Sequence, residues 1–209
     1  MKATAQILAL AFTCCCLTVA PLLAADDMKT GKSDPMTESL RLLKGKEFEM
    51  AFLQDMIQHH GSAIDMASLA ETNAESAEVK KMAHGIIAKQ KEEIGQMTGW
   101  LKAWHGQEPT RSTSTGDMDM KGAGDMNGHE AMMKMDAMME EMLAKLKTAK
   151  GVEFDQMFLK MMSMHHQDAV DMARLVEGRT ERDDLEKLAK GIVKDQEKEI
   201  AEMKSMLKS

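Results

Sequence analysis

Cysteine is missing from almost the whole of this chain. The only three, Cys14, Cys15 and Cys16, lie in an N-terminal segment with the pattern of a cleaved leader. The mature chain would then have no thiol, which excludes disulfide cross-links, thiolate zinc sites and cysteine nucleophiles. Such a composition suits an oxidising compartment, where a cysteine metal site would be vulnerable and Met and His are tolerated better.

A long hydrophobic span is missing as well. Lys2 is followed by an apolar run over residues 7–20 and then by Leu23-Ala24-Ala25, the pattern of a secretory signal peptide cleaved before residue 26. The run is too short to favour a stable membrane span. We therefore expect a signal peptide over residues 1–25, a flexible leader over residues 26–34, and a mature protein in the periplasm or outside the cell.

Basic clusters and aromatic residues are scarce. The formal net charge is −7 and charges of both signs are interspersed, so nothing in the chain would recruit nucleic acid or an anionic membrane. Aromatic residues make up 3% of the 209 residues and tyrosine is absent, whereas methionine occurs 24 times. A soft helical core explains methionines at apolar positions, but it does not explain those in a glycine-rich loop.

One motif occurs twice. Residues 52–67 and residues 158–173 share Phe, Met, His-His, Ala, Asp and Met at the same spacing, with an offset of 106 positions. On a helix, Phe52, Met56 and His59 fall on one apolar stripe, with the adjacent histidine at its edge. A lone histidine on such a face is more often a core residue bonded to a backbone carbonyl.

Four imidazoles in two matching sequence settings favour a shared ligand over four separate core histidines. Each pair has a methionine three or four residues before it and another six or seven residues after it. Burying so many polar rings costs free energy unless they share a partner. A metal ion is the partner that best suits histidine and methionine together.

The rest of the pattern predicts an all-α fold. Helices are expected over residues 35–72, 77–105 and 151–177, and a last helix follows a capping pair formed by Thr180 and Asp183. The last helix repeats the second at the same offset of 106 without insertion. Two duplicated αα-hairpins joined by a long crossover predict an antiparallel four-helix bundle of ferritin-like type.

The hairpins and their connection make up one bundle domain in this prediction. The first hairpin covers residues 35–106, the methionine-rich linker and helix cover residues 107–150, and the second hairpin covers residues 151–209. Gln90 and Gln196 each lie in the middle of an otherwise apolar stripe. An imidazole N–H of a neighbouring helix would satisfy each glutamine carbonyl, and a hydrogen bond to the backbone is the alternative.

These motifs resemble the family of domains of unknown function numbered 305. The resemblance rests on Phe-Leu-x-x-Met-Ile-x-His-His-x-x-Ala-Ile-x-Met-Ala followed by Ile-Ile-x-x-Gln-x-x-Glu-Ile-x-x-Met-x-x-Trp-Leu, and covers residues 38–208 with both repeats. It implies a helical bundle that binds copper, and in some members silver, outside the cytoplasm in support of copper resistance. Carried onto this chain, it implies the metal-site residues Met56, His59, His60, Met66, Met162, His165, His166 and Met172.

Ligand softness also favours copper. Thioethers select Cu(I) and its analogue Ag(I), whereas iron and manganese prefer carboxylates. A ferritin-like di-iron site needs Glu-x-x-His, which no histidine here completes, and zinc would lack a matched ligand set. We expect Cu(I), with Cu(II) bound through histidine alone as a second state. Adjacent histidines diverge by about 100°, so each pair should serve two neighbouring sites, or one site and a supporting contact.

The methionine-rich segment over residues 118–142 is a second candidate. It would capture several Cu(I) ions with low specificity, although an amphipathic helix lying on the bundle is the alternative for residues 132–142. The weaker candidate ligands in the chain are Met97, Met203, Met118, Met120, Met126 and His129.

Two other classes of function remain open. A periplasmic stress chaperone or partner-binding bundle would use a methionine surface for promiscuous contacts. A Cu(I) oxidase is less favoured, because the sequence shows no carboxylate base, cofactor motif or substrate pocket. We expect a protein that is not an enzyme and that sequesters or relays copper in copper tolerance, with other periplasmic copper-handling proteins as partners.

Overall fold

The structure is a computed structural model that describes residues 35–109, 140–141 and 143–208. Within these ranges it is all-helical and has no β-strand, which confirms the predicted class. The helices are α1 Pro35–Arg41, α2 Gly45–Ser68, α3 Ala70–Asn73, α4 Ala77–His105, α5 Gly151–Ala173 and α6 Asp183–Met206, with a short 3-10 helix over Arg174–Val176. Residues 143–148 are also helical. None of the helices in the described ranges is long and apolar enough to cross a membrane.

The long helices pack in the predicted pairs. α2 lies along α4, α5 lies along α6, and α2 also contacts α5. The two His-His motifs therefore lie on the two helices that join the hairpins. The closed four-helix bundle with a methionine-rich crossover stays a prediction, because Met118, Met120, Met126 and His129 lie outside the described residues.

The core consists of two clusters that flank the histidines. Phe52 and Met56, which precede the first His-His pair on α2, share a cluster with Met172, which follows the second pair on α5. Met66, which follows the first pair, shares the other cluster with Met162, which precedes the second. Each cluster combines residues that precede one His-His pair with residues that follow the other. α2 and α5 therefore run in opposite directions.

The start of α2 corrects the first predicted helix. A continuous helix through Gly45 is wrong, because α1 ends at Arg41 and Gly45 begins α2 with φ +57°. This left-handed conformation interrupts a helix, and glycine adopts it without strain. Gly151, the counterpart of Gly45, begins α5 with φ +62°. The N–H of Gly45 donates to the carbonyl of Arg179 (2.7 Å), so a contact with the other hairpin fixes the break.

α4 begins and ends at the residues predicted for the second helix, 77 and 105. Ser76 caps the first turn by accepting a hydrogen bond from the N–H of Val79 (3.3 Å), and Gly106 ends the helix with φ +67°. The backbone N–H of Ser76 also donates to the Asp155 carboxylate of α5 (2.8 Å). The turn between α3 and α4 is thereby tied to the second hairpin.

The predicted cap of α6 is wrong. The Thr180 hydroxyl donates to the buried carboxylate of Glu49 on α2 (2.6 Å) instead of capping a helix. Arg182 Nε donates to the same carboxylate (2.9 Å). As a result, α6 begins at Asp183 with no side-chain cap, and the loop before it is held against the first hairpin.

Candidate metal site

Two histidines face each other where α2 meets α5. The ring centroids of His59 and His165 are 3.7 Å apart, with 36° between the ring planes. The Ser62 hydroxyl donates to the carbonyl oxygen of His59 (2.8 Å) and lies 2.6 Å from Nε2 of His165. Because its one hydrogen serves the carbonyl, the hydroxyl accepts from the Nε2–H of His165. This assignment leaves the lone pair of His165 on Nδ1.

The other two histidines turn towards a carboxylate of their own hairpin. Nε2 of His60 lies 2.8 Å from Oε2 of Glu93 on α4, and Nε2 of His166 lies 2.7 Å from Oε2 of Glu199 on α6. A carboxylate only accepts hydrogen bonds, so each Nε2 carries a hydrogen, and in the neutral form of each ring the lone pair is on Nδ1. Carboxylates bonded in this way fix the orientation of metal-binding histidines and raise their basicity.

The Nδ1 atoms of all four histidines are buried, and none has a hydrogen-bond partner among the described residues. We call His59, His60, His165 and His166 the histidine layer. A buried polar atom without a partner costs about 1–3 kcal/mol. Four such atoms in one layer are therefore unfavourable unless a bound species pairs with them.

Burial keeps the two facing rings neutral. Removal from water, followed by the charges that His60 and His166 would carry, lowers the pKa of His59 to about 3. Burial, and then the neighbouring histidines, hold the pKa of His165 well below its usual 6.5. Both rings are therefore unprotonated near neutral pH, the form in which imidazole binds a metal.

Six buried methionines flank the histidine layer, and each is at most 2% exposed. Each set combines one methionine of α2, one of α5 and one of α4 or α6. The first set is Met56, Met97 and Met172, and the second is Met66, Met162 and Met203. The six methionines are thus divided between the two core clusters, three in each, and the site that the resemblance implies stays a prediction.

The histidines bond to glutamates, whereas the sequence suggested glutamines as their partners. Gln90 and Gln196 are buried, but their Oε1 atoms have no hydrogen-bond partner in the described part of the chain, so the expected imidazole–glutamine hydrogen bonds are absent. Glu93 and Glu199 lie three residues further along the same helices and bind the histidines instead. A signal was present, because these glutamates recur at the repeat offset of 106.

The two halves of the site differ in charge. Lys89 Nζ lies 3.5 Å from Glu93 Oε1 and 3.4 Å from Asp195 Oδ2 on α6. At the repeat offset, the counterpart of Lys89 is Asp195 itself, so Glu93 has a cation one turn before it whereas Glu199 has an acid. Glu93 is also the more buried carboxylate, with 5% of its side chain exposed against 24% for Glu199.

Histidines and carboxylates alone do not make a metal site in this part of the chain. Within residues 35–109 and 143–208, no group of three or more histidine, cysteine, aspartate or glutamate side chains is arranged to hold an ion. The buried methionines of the two core clusters are the other candidate donors in this part of the fold. That donor set suits Cu(I) and Ag(I).

Comparison with known proteins places these features in a family. A family model described as Domain of unknown function (DUF305) matches residues 23–72 and 49–207. CopM in its Cu(II)-bound form is 34% identical with a TM-score of 0.58, over 77% of this chain and 95% of CopM. CopM has also been solved in Cu(I)-bound and Ag-bound forms.

Two further structures of the family are similar to this chain. A DUF305 fragment from Deinococcus radiodurans is 31% identical with a TM-score of 0.61, over 79% of this chain and 97% of the fragment. A predicted secreted DUF305 protein from Streptomyces coelicolor is 28% identical with a TM-score of 0.59, over 76% of this chain and 90% of that protein. No curated protein matches the chain significantly.

Proposed function

We propose a copper-binding function from the premise that this chain belongs to the DUF305 family. The observation that carries the proposal is the set of four buried Nδ1 atoms without a hydrogen-bond partner in the described residues, flanked by two sets of buried thioethers. The metal-bound forms of CopM support it. Cu(I) is the preferred ion, Ag(I) is its analogue, and Cu(II) binds through the imidazoles alone.

Copper is the cargo of this protein rather than a catalytic cofactor. We place the protein in the periplasm or outside the cell, where it sequesters Cu(I) or relays it to other copper-handling proteins in copper tolerance. We infer no enzymatic role. The imidazole Nδ1 atoms and the methionine sulfurs supply the ligands, and a buried layer of neutral ligands keeps the ion away from water.

Adjacent histidines point in different directions, so the two histidines of a pair serve different metal sites. His59 and His165 face each other between the hairpins, whereas His60 and His166 turn to α4 and α6. Each His-His pair would then contribute to two neighbouring sites, as the helical geometry predicts. A metal-bound structure with one ion held by both rings of His59 and His60 would contradict this division.

The proposal is tested by anaerobic Cu(I) titration of the mature protein against a competing chromogenic chelator. The matched variant replaces residues 112–142 with a Gly/Ser linker of equal length, so that the hairpins stay connected. We expect the tight sites to remain and the number of weakly bound ions to fall. If the tight sites are lost with the segment, copper binding belongs to the methionine-rich segment and the histidine layer is structural.

The carboxylates that hold His60 and His166 are expected to tune the affinity. Replacing Glu93→Gln or Glu199→Gln should weaken Cu(I) binding by about 10–100-fold, because an amide is a weaker acceptor and makes the bonded imidazole less basic. Glu92→Gln is the control, because Glu92 is an exposed residue of the same helix as Glu93. Equal weakening by the control would show a general charge effect and contradict this role.

A further inference from the structure

A cleft of about 550 Å³ lies apart from the histidine layer, where α2 and α6 begin and α4 ends. Its lining is rich in cations although the whole chain has a net charge of −7. The cationic residues are Lys44, Lys46, Arg179 and Arg182, against two carboxylates, Glu49 and Glu181. Glu49 is already neutralised by Arg182, so the cleft has an excess of positive charge.

The backbone at this cleft adds to that charge. α2 and α6 both begin here, and neither has a side-chain hydrogen bond that caps its first turn. The N–H of Gly45 already donates to the Arg179 carbonyl. The other uncapped N–H groups at these helix starts carry partial positive charge and bind anions. Both helices have 24 residues, which is long enough for a helix dipole, and acidic residues in their first turns offset part of it: Glu47 in α2, and Asp183, Asp184 and Glu186 in α6.

Buried donors without partners also line the cleft. The His105 side chain is 1% exposed, and neither of its ring nitrogens has a hydrogen-bond partner among the described residues. Nε2 of His105 lies 3.4 Å from Oε2 of Glu49. Arg179 Nε is likewise buried without a hydrogen-bond partner in the described part of the chain. Buried donors are rarely left unpaired, so these groups indicate a ligand that accepts hydrogen bonds.

The duplicated end of the molecule shows that the fold does not require three of these four cations. At the offset of 106, Lys46 corresponds to Val152, and residues 73 and 76, an asparagine and a serine, correspond to Arg179 and Arg182. His105 has no counterpart, because the offset passes the end of the chain. Lys44 alone keeps its charge, because its counterpart is Lys150. The same turn is thus built once with four cations and once with one.

We propose that this cleft binds a small oxyanion of the phosphate or carboxylate class. The anion accepts hydrogen bonds from the uncapped starts of α2 and α6 and from the buried donors, and pairs with the lysines at the rim. The site is independent of copper binding at the histidine layer. Its occupant is a free phosphate or a small polycarboxylate, which share this chemistry.

Tryptophan fluorescence offers a direct readout. Trp104 lines the cleft and stacks on Trp100 with ring centroids 4.8 Å apart, and these are the only two tryptophans of the chain. The mature protein is titrated with inorganic phosphate and, separately, with citrate at constant ionic strength, with calorimetry in parallel. Saturable binding of either anion is expected, and the stronger one identifies the source.

The variants follow the internal repeat. Lys46→Val installs the residue found at the other end, and Arg179→Asn does the same at a second position; each should weaken binding about tenfold, the value of one charged hydrogen bond. Lys160→Val on α5 is the control, because it removes one exposed lysine that does not line the cleft. The proposal fails if neither anion saturates, if Lys46→Val binds as tightly as the wild type, or if the control weakens equally.

Discussion

Replacing His59, His60, His165 and His166 with alanine is expected to remove the tightest copper sites, with a loss of Cu(I) affinity of at least about 100-fold. Removing only the partner of a metal-binding histidine costs 10–100-fold, and this variant removes the nitrogen ligands themselves. The remaining thioethers of the two methionine sets should bind Cu(I) weakly. Anaerobic competition with a chromogenic chelator measures the change.

Two companion variants separate metal binding from folding. His84→Ala removes an imidazole that is exposed on α4 and should leave the affinity unchanged. His60→Ala with His166→Ala keeps the facing pair and should weaken the tight sites without removing all of them. Far-UV circular dichroism of each variant shows whether the helices remain.

Unchanged tight binding in the fourfold variant would reverse the assignment. Copper capture would then belong to residues 118–142, and the histidines would be core residues. The same variant tests the chaperone alternative, because a chaperone that uses methionine surface should keep its activity without the histidines.

The helices that the sequence predicted well are those whose ends have local causes. Ser76 caps α4 and Gly106 ends it, and both signals act within a few residues of the helix. The breaks that it missed have distant causes. Gly45 adopts its left-handed conformation where its N–H donates to the Arg179 carbonyl. The hydroxyl of Thr180 donates to Glu49. Neither contact can be predicted from a local sequence pattern.

The candidate site likewise has a part that the sequence predicted and a part that it did not. The duplicated His-His motif singled out the histidines because four equal settings are improbable for unrelated core residues. The grouping of Met56 with Met172, and of Met66 with Met162, depends on α2 and α5 running in opposite directions, which no single motif encodes. Glu93 was missed because glutamate on a helix is usually solvated, and its burial becomes acceptable only with the partners His60 and Lys89.

The metal-free protein is expected to lose stability as the pH falls below about 6.5. Burial lowers the pKa of His59 to about 3 and holds that of His165 well below 6.5 in the folded state. Between the folded and unfolded pKa values, these histidines are protonated in the unfolded chain but not in the folded chain. The free energy of unfolding therefore falls as the pH falls across this window, by about 1.4 kcal/mol per pH unit for each histidine.

Urea unfolding of the metal-free protein at pH 7.0, 6.0 and 5.0 measures this loss. From pH 6.5 to 5, the facing pair accounts for up to about 4 kcal/mol, a large share of the roughly 5–15 kcal/mol typical of a domain. The double variant His59→Gln with His165→Gln should flatten the profile, whereas His84→Gln should not. His105, whose pKa burial also lowers, remains in both variants and sets the residual slope.

The chosen pH range separates the titration of the facing histidines from that of the buried carboxylate of Glu49. The hydrogen bonds of Glu49 with Thr180 and Arg182 outweigh its burial and lower its pKa below 4.5, so its stabilising contribution is lost only at more acid pH. A profile that is equally steep in the double variant would mean that the facing histidines are protonated in the folded protein. Their neutral, unpaired Nδ1 atoms would then be unavailable to copper in mildly acid solution, and the buried layer would not be the ligand set proposed for it.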